Sequence, residues 1–289
     1  MDVDGVVLDI DGVLLDVSES YRRTVVETAD HLYGDTVSKR ALQSLKDAGG
    51  FNNDWLLTDA LCLYVLARRV GYDTAIDGYA SAIADHGGGL DGARDAITEA
   101  LGPEDATAVE RDWDPNRVRS VFQQYYLGSD GYREIERAEP DLDTPGYMHD
   151  EPVLVDAGTL EALRREFAIG VLTGRPAQEA TLALDRLHLE LPDDRVLTMD
   201  SPFPGKPAPD GLVALATRLD AEAIAYVGDT LDDVRTAVAA TDTDPGRRYA
   251  GLGVLTGGLT GPAGREAFQS AGATAVMDSI TELPEVLGL

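Results

Sequence analysis

Four short stretches hold residue types that do chemistry when brought together. Asp9-Ile10-Asp11-Gly12 carries two carboxylates two residues apart, so an extended chain points both the same way before a turn glycine. Thr173-Gly174-Arg175 offers a hydroxyl and free backbone amides at the start of an expected helix. Gly205-Lys206-Pro207 supplies a point cation, and Gly228-Asp229-Thr230-Leu231-Asp232-Asp233 adds carboxylates suited to a hard metal ion. A nucleophilic carboxylate, an anion grip, a cation and metal ligands together equip a protein for phosphoryl transfer, which needs positioning and charge neutralisation above all.

Each stretch also has a plain structural role. Asp-Gly after a strand is a common turn. Thr173 and Gly174 can cap a helix starting at Pro176, and Asp229 one starting at Leu231. Lys206 resists that treatment, because the chain has only three lysines, Lys39, Lys46 and Lys206. A lysine kept between Gly and Pro in such a chain points to a compact charge that arginine does not replace.

The elements that must position these groups follow from periodicity. Val6 to Asp9 reads as a buried strand. From Tyr21 to Tyr126 the pattern is helical, with helices expected over Ser20–Tyr33, Val37–Lys46, Asp54–Arg69, Tyr72–Ala84, Asp91–Leu101 and Pro115–Tyr126. Ala138 to Pro152 reads as a linker. Strands are then expected at 167–172, 195–199, 223–227, 251–255 and 275–277, separated by helices over 176–187, 207–219 and 231–240. This alternation predicts a parallel α/β sheet. The first strand has no nearby partner, so it must join that distant sheet, which makes residues 16–150 an inserted helical domain in a core of residues 1–15 and 151–289. All four stretches then fall at strand ends on the carboxyl edge of the sheet.

Composition narrows the partners. The 289 residues carry 52 acids against 24 bases, a net charge of −28. Such a chain repels nucleic acid and anionic membranes. With 44% hydrophobic residues and dispersed acids, it reads as an acidic shell around an ordinary core, and its Asp-rich, lysine-poor surface resembles proteins of extreme halophiles. The one cysteine, Cys62, lies in an apolar run and reads as core in a reducing compartment. With no leader and no apolar run near the roughly 20 residues of a membrane helix, a cytoplasmic location is expected. Oligomeric state is not readable.

The four motifs, taken in order, resemble those of the haloacid dehalogenase-like (HAD) hydrolases, subfamily IA, and the resemblance covers residues 1–15 and 151–289. It implies a Rossmannoid core whose insertion is an all-helical C1 cap. It further implies a Mg2+-dependent phosphatase of small phosphorylated metabolites, working through an aspartyl-phosphate on Asp9. Asp11 would act as acid and then base, Thr173 and the Gly174 amide would grip the phosphoryl oxygens, and Lys206 would neutralise them. Mg2+ would sit on Asp9, the carbonyl of Asp11 and Asp229, with Asp233 an outer ligand or brace. A phosphomutase remains the alternative; a phosphonatase, which would want Lys39 or Lys46 for a Schiff base, and a non-catalytic binding protein stand further back.

Substrate choice is expected in the insertion. Lys46-Asp47-Ala48-Gly49-Gly50-Phe51-Asn52-Asn53-Asp54-Trp55 sets polar side chains between two aromatics after a Gly-Gly hinge. Either Asn53 or Asp54 caps a helix there, or Lys46, Asn52 and Asn53 contact the substrate. Asp2-Val3-Asp4-Gly5 repeats the first motif, but only Met1 precedes it, so it reads as an exposed start. Arg22 and Arg23 read as surface ion-pair partners, and among the histidines only His149 merits a test.

Overall fold

Val6, Val7 and Leu8 are fully buried at the centre of the sheet that organises the larger part of the protein. The computed structural model describes residues 1–51 and 53–289, and these form two units: Met1–Ser18 with Pro152–Leu289, and Glu19–Glu151.

The first unit is a six-stranded sheet. Its strands are β1 (Gly5–Leu8), β2 (Ala168–Leu172), β3 (Val196–Leu197), β4 (Ala223–Gly228), β5 (Arg248–Val254) and β6 (Ala275–Met277), in the order β3-β2-β1-β4-β5-β6. Every pairing is parallel, and β1 lies between two strands more than 150 residues away in sequence, with Val6 opposite Ile169 on one side and Ala225 on the other. Parallel strands need crossovers, and a sheet covered on both faces selects continuous apolar runs. Alternation sends Val6 and Leu8 into one core, with Leu160, Leu163 and Ala183, and Val7 into the other, with Leu212, Leu215 and Tyr226.

The crossover helices are α8 (Ala157–Glu166), α9 (Ala177–Arg186), α10 (Asp210–Arg218), α11 (Leu231–Thr243) and α12 (Gly261–Ser270), and α13 (Leu283–Leu287) closes the chain. Periodicity alone predicts no helix over α8 or α12, although Asp156 caps α8 by accepting from the Thr159 amide at 2.9 Å. Helix α10 begins at Asp210 rather than Pro207, since Pro207 and Pro209 lack the amide a helix interior needs. The exposed Asp4 does more than start the chain: its carboxylate accepts from the amides of Glu222 and Ala223 at 3.0 and 2.8 Å, fastening the amino end of β4.

The second unit holds α1 (Ser18–Tyr33, all but its first residue), α2 (Leu42–Asp47), α3 (Asp54–Arg69), α4 (Ile76–Asp85), α5 (Gly89–Leu101), α6 (Pro103–Asp112) and α7 (Pro115–Glu136). Helix α3 is its centre, packed against α5, α6 and α7 with Leu57, Leu61, Leu63 and Val65 buried. Cys62 is buried there too, and burial pushes its thiol well above the usual range. Helix α6 was missed in the sequence, although Pro103, Glu104 and Asp105 are ordinary helix-start residues. Helix α7 runs ten residues past the expected end, kinked at Gly128. The expected linker packs on α7: Gln124 accepts from the amides of Asp141 and Leu142, and Tyr147 stacks on Tyr125. Glu151, fully buried, accepts from Ser20 Oγ at 2.7 Å and Tyr126 OH at 3.1 Å, whereas its neighbour His149 is exposed.

Candidate active site

Asp9 follows directly on β1, and its amide donates to Val227 of β4 at 3.0 Å. The chain then turns sharply: the amides of Val13, Leu14 and Leu15 all converge on the Ile10 carbonyl. Gly12 makes the turn with φ +69°, a region that side chains disfavour, and a Cβ there would lie 2.3 Å from an Asp229 carboxylate oxygen. The motif is therefore a turn and a site at once. The close approach of Asp229 demands glycine.

Lys206 ties the site together. Its Nζ lies 2.5 Å from Asp9 Oδ2 and 2.7 Å from Asp233 Oδ1, in a setting where Asp9 is 4% exposed and Asp233 1%. Asp233 is braced further by Tyr226 OH at 2.7 Å and by the amide and hydroxyl of Thr230 at 2.9 and 2.6 Å. Asp232 turns outward to Arg235, so Asp233 is the acid that enters the cluster.

These contacts set the charges. Burial pushes Asp9 up to about 6 even though Lys206 pulls the other way. Burial would also raise Asp233, but Lys206 and the Thr230 and Tyr226 hydrogen bonds hold it below the ordinary range. Lys206 is disfavoured by burial yet held well above its usual value by Asp9 and its other partners. Asp229 is pushed to about 8, by burial first and then by the charge of Asp9 and Asp233.

Asp229 is the unbalanced member. Thr230, not Asp229, caps α11, through a reciprocal bond pair with Asp233. Among the described residues the Asp229 carboxylate has no hydrogen bond or ion pair. Asp9, Asp229 and Asp233 each bring a carboxylate oxygen within 4.8 Å of the others. Three carboxylates facing one lysine, one of them orphaned, make a donor set that fits a hard, oxygen-seeking divalent cation.

Asp11 stands apart from that trio. Its Oδ1 accepts a hydrogen bond from Arg175 Nε at 2.6 Å, and Nη2 lies in ion-pair contact with the same oxygen at 2.6 Å. Thr173 follows β2, buried, and its amide donates to Leu197 at 2.9 Å. It does not cap α9, whose first amide is met by Asp200 at 2.8 Å, and Gly174 is exposed beside it. A cavity of about 120 Å³ opens beside Thr173, Gly174 and Lys206, backed by Leu172, Leu197 and Phe203.

The structure thus gathers Asp9, Asp11, Thr173, Gly174, Lys206, Asp229 and Asp233 at the carboxyl edge of one sheet. Lys46 and Asn53 belong to the helical unit, where Lys46 Nζ pairs with Asp54 at 2.9 Å and Asn53 caps α3 by accepting from the Leu56 amide at 3.0 Å. Asn52 lies outside the described residues. Lys39 pairs with Glu19 on the surface, Arg22 bonds Gln43, and Arg23 lies over the Tyr147 ring.

Arg175 and Thr230 lie inside two of the motif stretches but take roles that the sequence does not assign them, and Tyr226 and the Thr256-Gly257 pair after β5 lie outside those stretches. Thr256 Oγ1 donates to the Gly12 carbonyl, and a Cβ on Gly257 would come within 1.8 Å of Asp229. The one signal for Thr256 and Gly257 is the echo of Leu172-Thr173-Gly174 in Leu255-Thr256-Gly257, which is too short to count as a repeat.

The family model for haloacid dehalogenase-like hydrolases matches residues 3–241, spanning both units. The chain belongs to this family. An imidazoleglycerol-phosphate dehydratase from Phytophthora nicotianae is 29% identical to this HAD hydrolase over 239 residues. The match covers 81% of this chain but only 39% of that longer protein. A phosphatase from Thermococcus thioreducens is similar over 82% of this chain and 88% of its own, with 27% identity and a TM-score of 0.62. A subfamily IA HAD hydrolase from Geobacter sulfurreducens covers 99% of this chain and 97% of its own at 17% identity, with a TM-score of 0.51, and so shares the fold. Among the described residues no helix of this HAD hydrolase is long and apolar enough to cross a membrane.

Proposed function

We propose that this HAD hydrolase is a Mg2+-dependent phosphatase of small phosphorylated metabolites, with its helical unit as a C1 cap that selects the substrate. The observation that carries the reading is the division among four acids. Asp9, Asp229 and Asp233 bring their carboxylates together, with Lys206 bonded to Asp9 and Asp233, while Asp11 is held separately by Arg175.

In this reading Asp9 attacks the phosphorus and carries the phosphoryl group as a mixed anhydride. Asp11 gives a proton to the leaving oxygen and then takes one from the water that hydrolyses the anhydride, the exchange of roles expected of one acid/base group. Lys206 neutralises charge growing on the phosphoryl oxygens, and Thr173 Oγ1 with the Gly174 amide grips them. Asp9, Asp229 and the Asp11 carbonyl would hold Mg2+, with Asp233 as brace. Bound there, the ion supplies charge neutralisation and fixes the geometry of attack. Asp229, orphaned and pushed to about 8, supports its place in that ligand set.

Lys46, Asn52 and Asn53 are proposed to contact the organic part of the substrate. The lone cysteine, buried and unpaired, is consistent with the reducing cytoplasm. Hydrolysis of p-nitrophenyl phosphate in high KCl, with and without Mg2+, tests the activity. Turnover should need Mg2+ and vanish in Asp9→Asn, and retained turnover in that variant refutes the mechanism. A metabolite panel then narrows the substrate. Since the Phytophthora relative is named for a phosphate ester bearing an imidazole, such esters belong in that panel.

A further inference from the structure

Among the described residues Arg175 is the largest fully buried side chain, 1% exposed, in a chain with only 24 basic residues. Taking a guanidinium out of water is costly, and arginine cannot shed its charge to reduce that cost. Its backbone is fixed on both sides: the amide donates to Thr173 Oγ1 at 3.3 Å, and the carbonyl accepts from Met199 at 3.0 Å. From that anchor the side chain reaches Asp11, 164 residues away in sequence.

The manner of contact is informative. An arginine meeting a carboxylate commonly engages both oxygens with two parallel hydrogen bonds. Here Nε and Nη2 both lie 2.6 Å from Asp11 Oδ1, and among the described residues Oδ2 has no hydrogen bond. One oxygen is pinned while the other stays available on a side chain that is 30% exposed.

We infer that Arg175 is a positioning residue for the acid/base step, fixing Asp11 through Oδ1 so that Oδ2 alone exchanges the proton. This rests on the proposed roles of Asp9 and Asp11. As the bond from Asp9 to phosphorus forms and the bond to the leaving oxygen breaks, the proton on Oδ2 passes to that oxygen. In the second step water attacks phosphorus, its proton goes to Oδ2, and the Asp9 carboxylate is released. The Thr173-Gly174-Arg175 turn would then couple two tasks, gripping the phosphoryl group and aiming the proton donor.

The test compares leaving groups in the full-length protein with Mg2+. Dinitrophenolate leaves without a proton, whereas an alkyl alcohol requires one, so a misaligned acid slows only the second. In Arg175→Met, single-turnover release of dinitrophenol from 2,4-dinitrophenyl phosphate should stay within about threefold of wild type. Alcohol release from a simple alkyl phosphate should fall about 100-fold or more, the usual worth of a positioned acid. Arg175→Lys should recover part of that loss. Equal slowing with both leaving groups, or no slowing with the alkyl phosphate, overturns the inference. Should Arg175→Met not fold, the ratio of the two rates in Arg175→Lys decides in the same way. A wild-type protein that releases neither product, or an Asp9→Asn variant that still turns over, would instead refute the parent mechanism.

Discussion

Metal binding to this site should be strongly pH-dependent, and the structure sets both direction and size. Asp229 lies near 8 and Asp9 near 6 in the metal-free protein, both raised chiefly by burial. A metal ion takes the ionised carboxylate, so each proton held must leave on binding. At pH 7 Asp229 carries about nine-tenths of a proton and Asp9 about one-tenth, so close to one proton is released per Mg2+ bound. Affinity should fall about tenfold for each pH unit from 8 to 6, about 100-fold or 2.7 kcal/mol in all, and more steeply below 6 as Asp9 joins. Calorimetric titration with Mg2+ at pH 6, 7 and 8, in buffers of different ionisation enthalpy, measures affinity and proton release together. Asp229→Asn should bind weakly with no pH dependence above 6. Constant affinity from pH 6 to 8 with no proton released would refute the assignment of Asp229 as a raised, unpartnered ligand. The same shift has a second consequence: the folded chain keeps a proton that the unfolded chain releases between 3.8 and about 8. The metal-free protein therefore loses stability as pH rises through that window, and Mg2+ offsets the loss.

Three further outcomes are expected. Lys206→Met leaves Asp9 and Asp233 buried without their shared cation, so chemical denaturation should show a loss of about 3–5 kcal/mol, with no phosphatase turnover; near-wild-type stability would mean the pair is not charged as described. Asp59 in α3, pushed to about 6 by burial and bonded to Trp113 Nε1 at 2.9 Å, penalises the fold once ionised. Asp59→Asn should therefore stabilise by up to about 3 kcal/mol at pH 7 and by almost nothing near pH 3, below both the unfolded and the folded value, read from urea unfolding at both values. The net charge of −28 should make the fold salt-dependent, and a melting temperature equal in dilute buffer and molar KCl would remove that reading.

The sequence by itself determined the alternation that yields the parallel sheet, the remote strand Val6–Leu8 that must join it, and the order of the four motifs at strand ends. These are local in cause: apolar periodicity, turn residues and carboxylate spacing act within a few positions. It did not reveal α8 or α12, nor how far α7 extends, because those boundaries depend on packing as much as on propensity. At the site, residue type alone left Asp229 and Thr173 open as helix caps. The fold closed that choice by giving the caps to Thr230 and Asp200. Tyr226, Arg175 and Gly257 act through partners 7, 164 and 28 residues away, which no local pattern encodes. Only the tertiary structure decided the charge states. Whether a carboxylate sits near 6, near 8 or below its usual range depends on which groups share its burial, and that neighbourhood exists only once β1, β2 and β4 lie side by side.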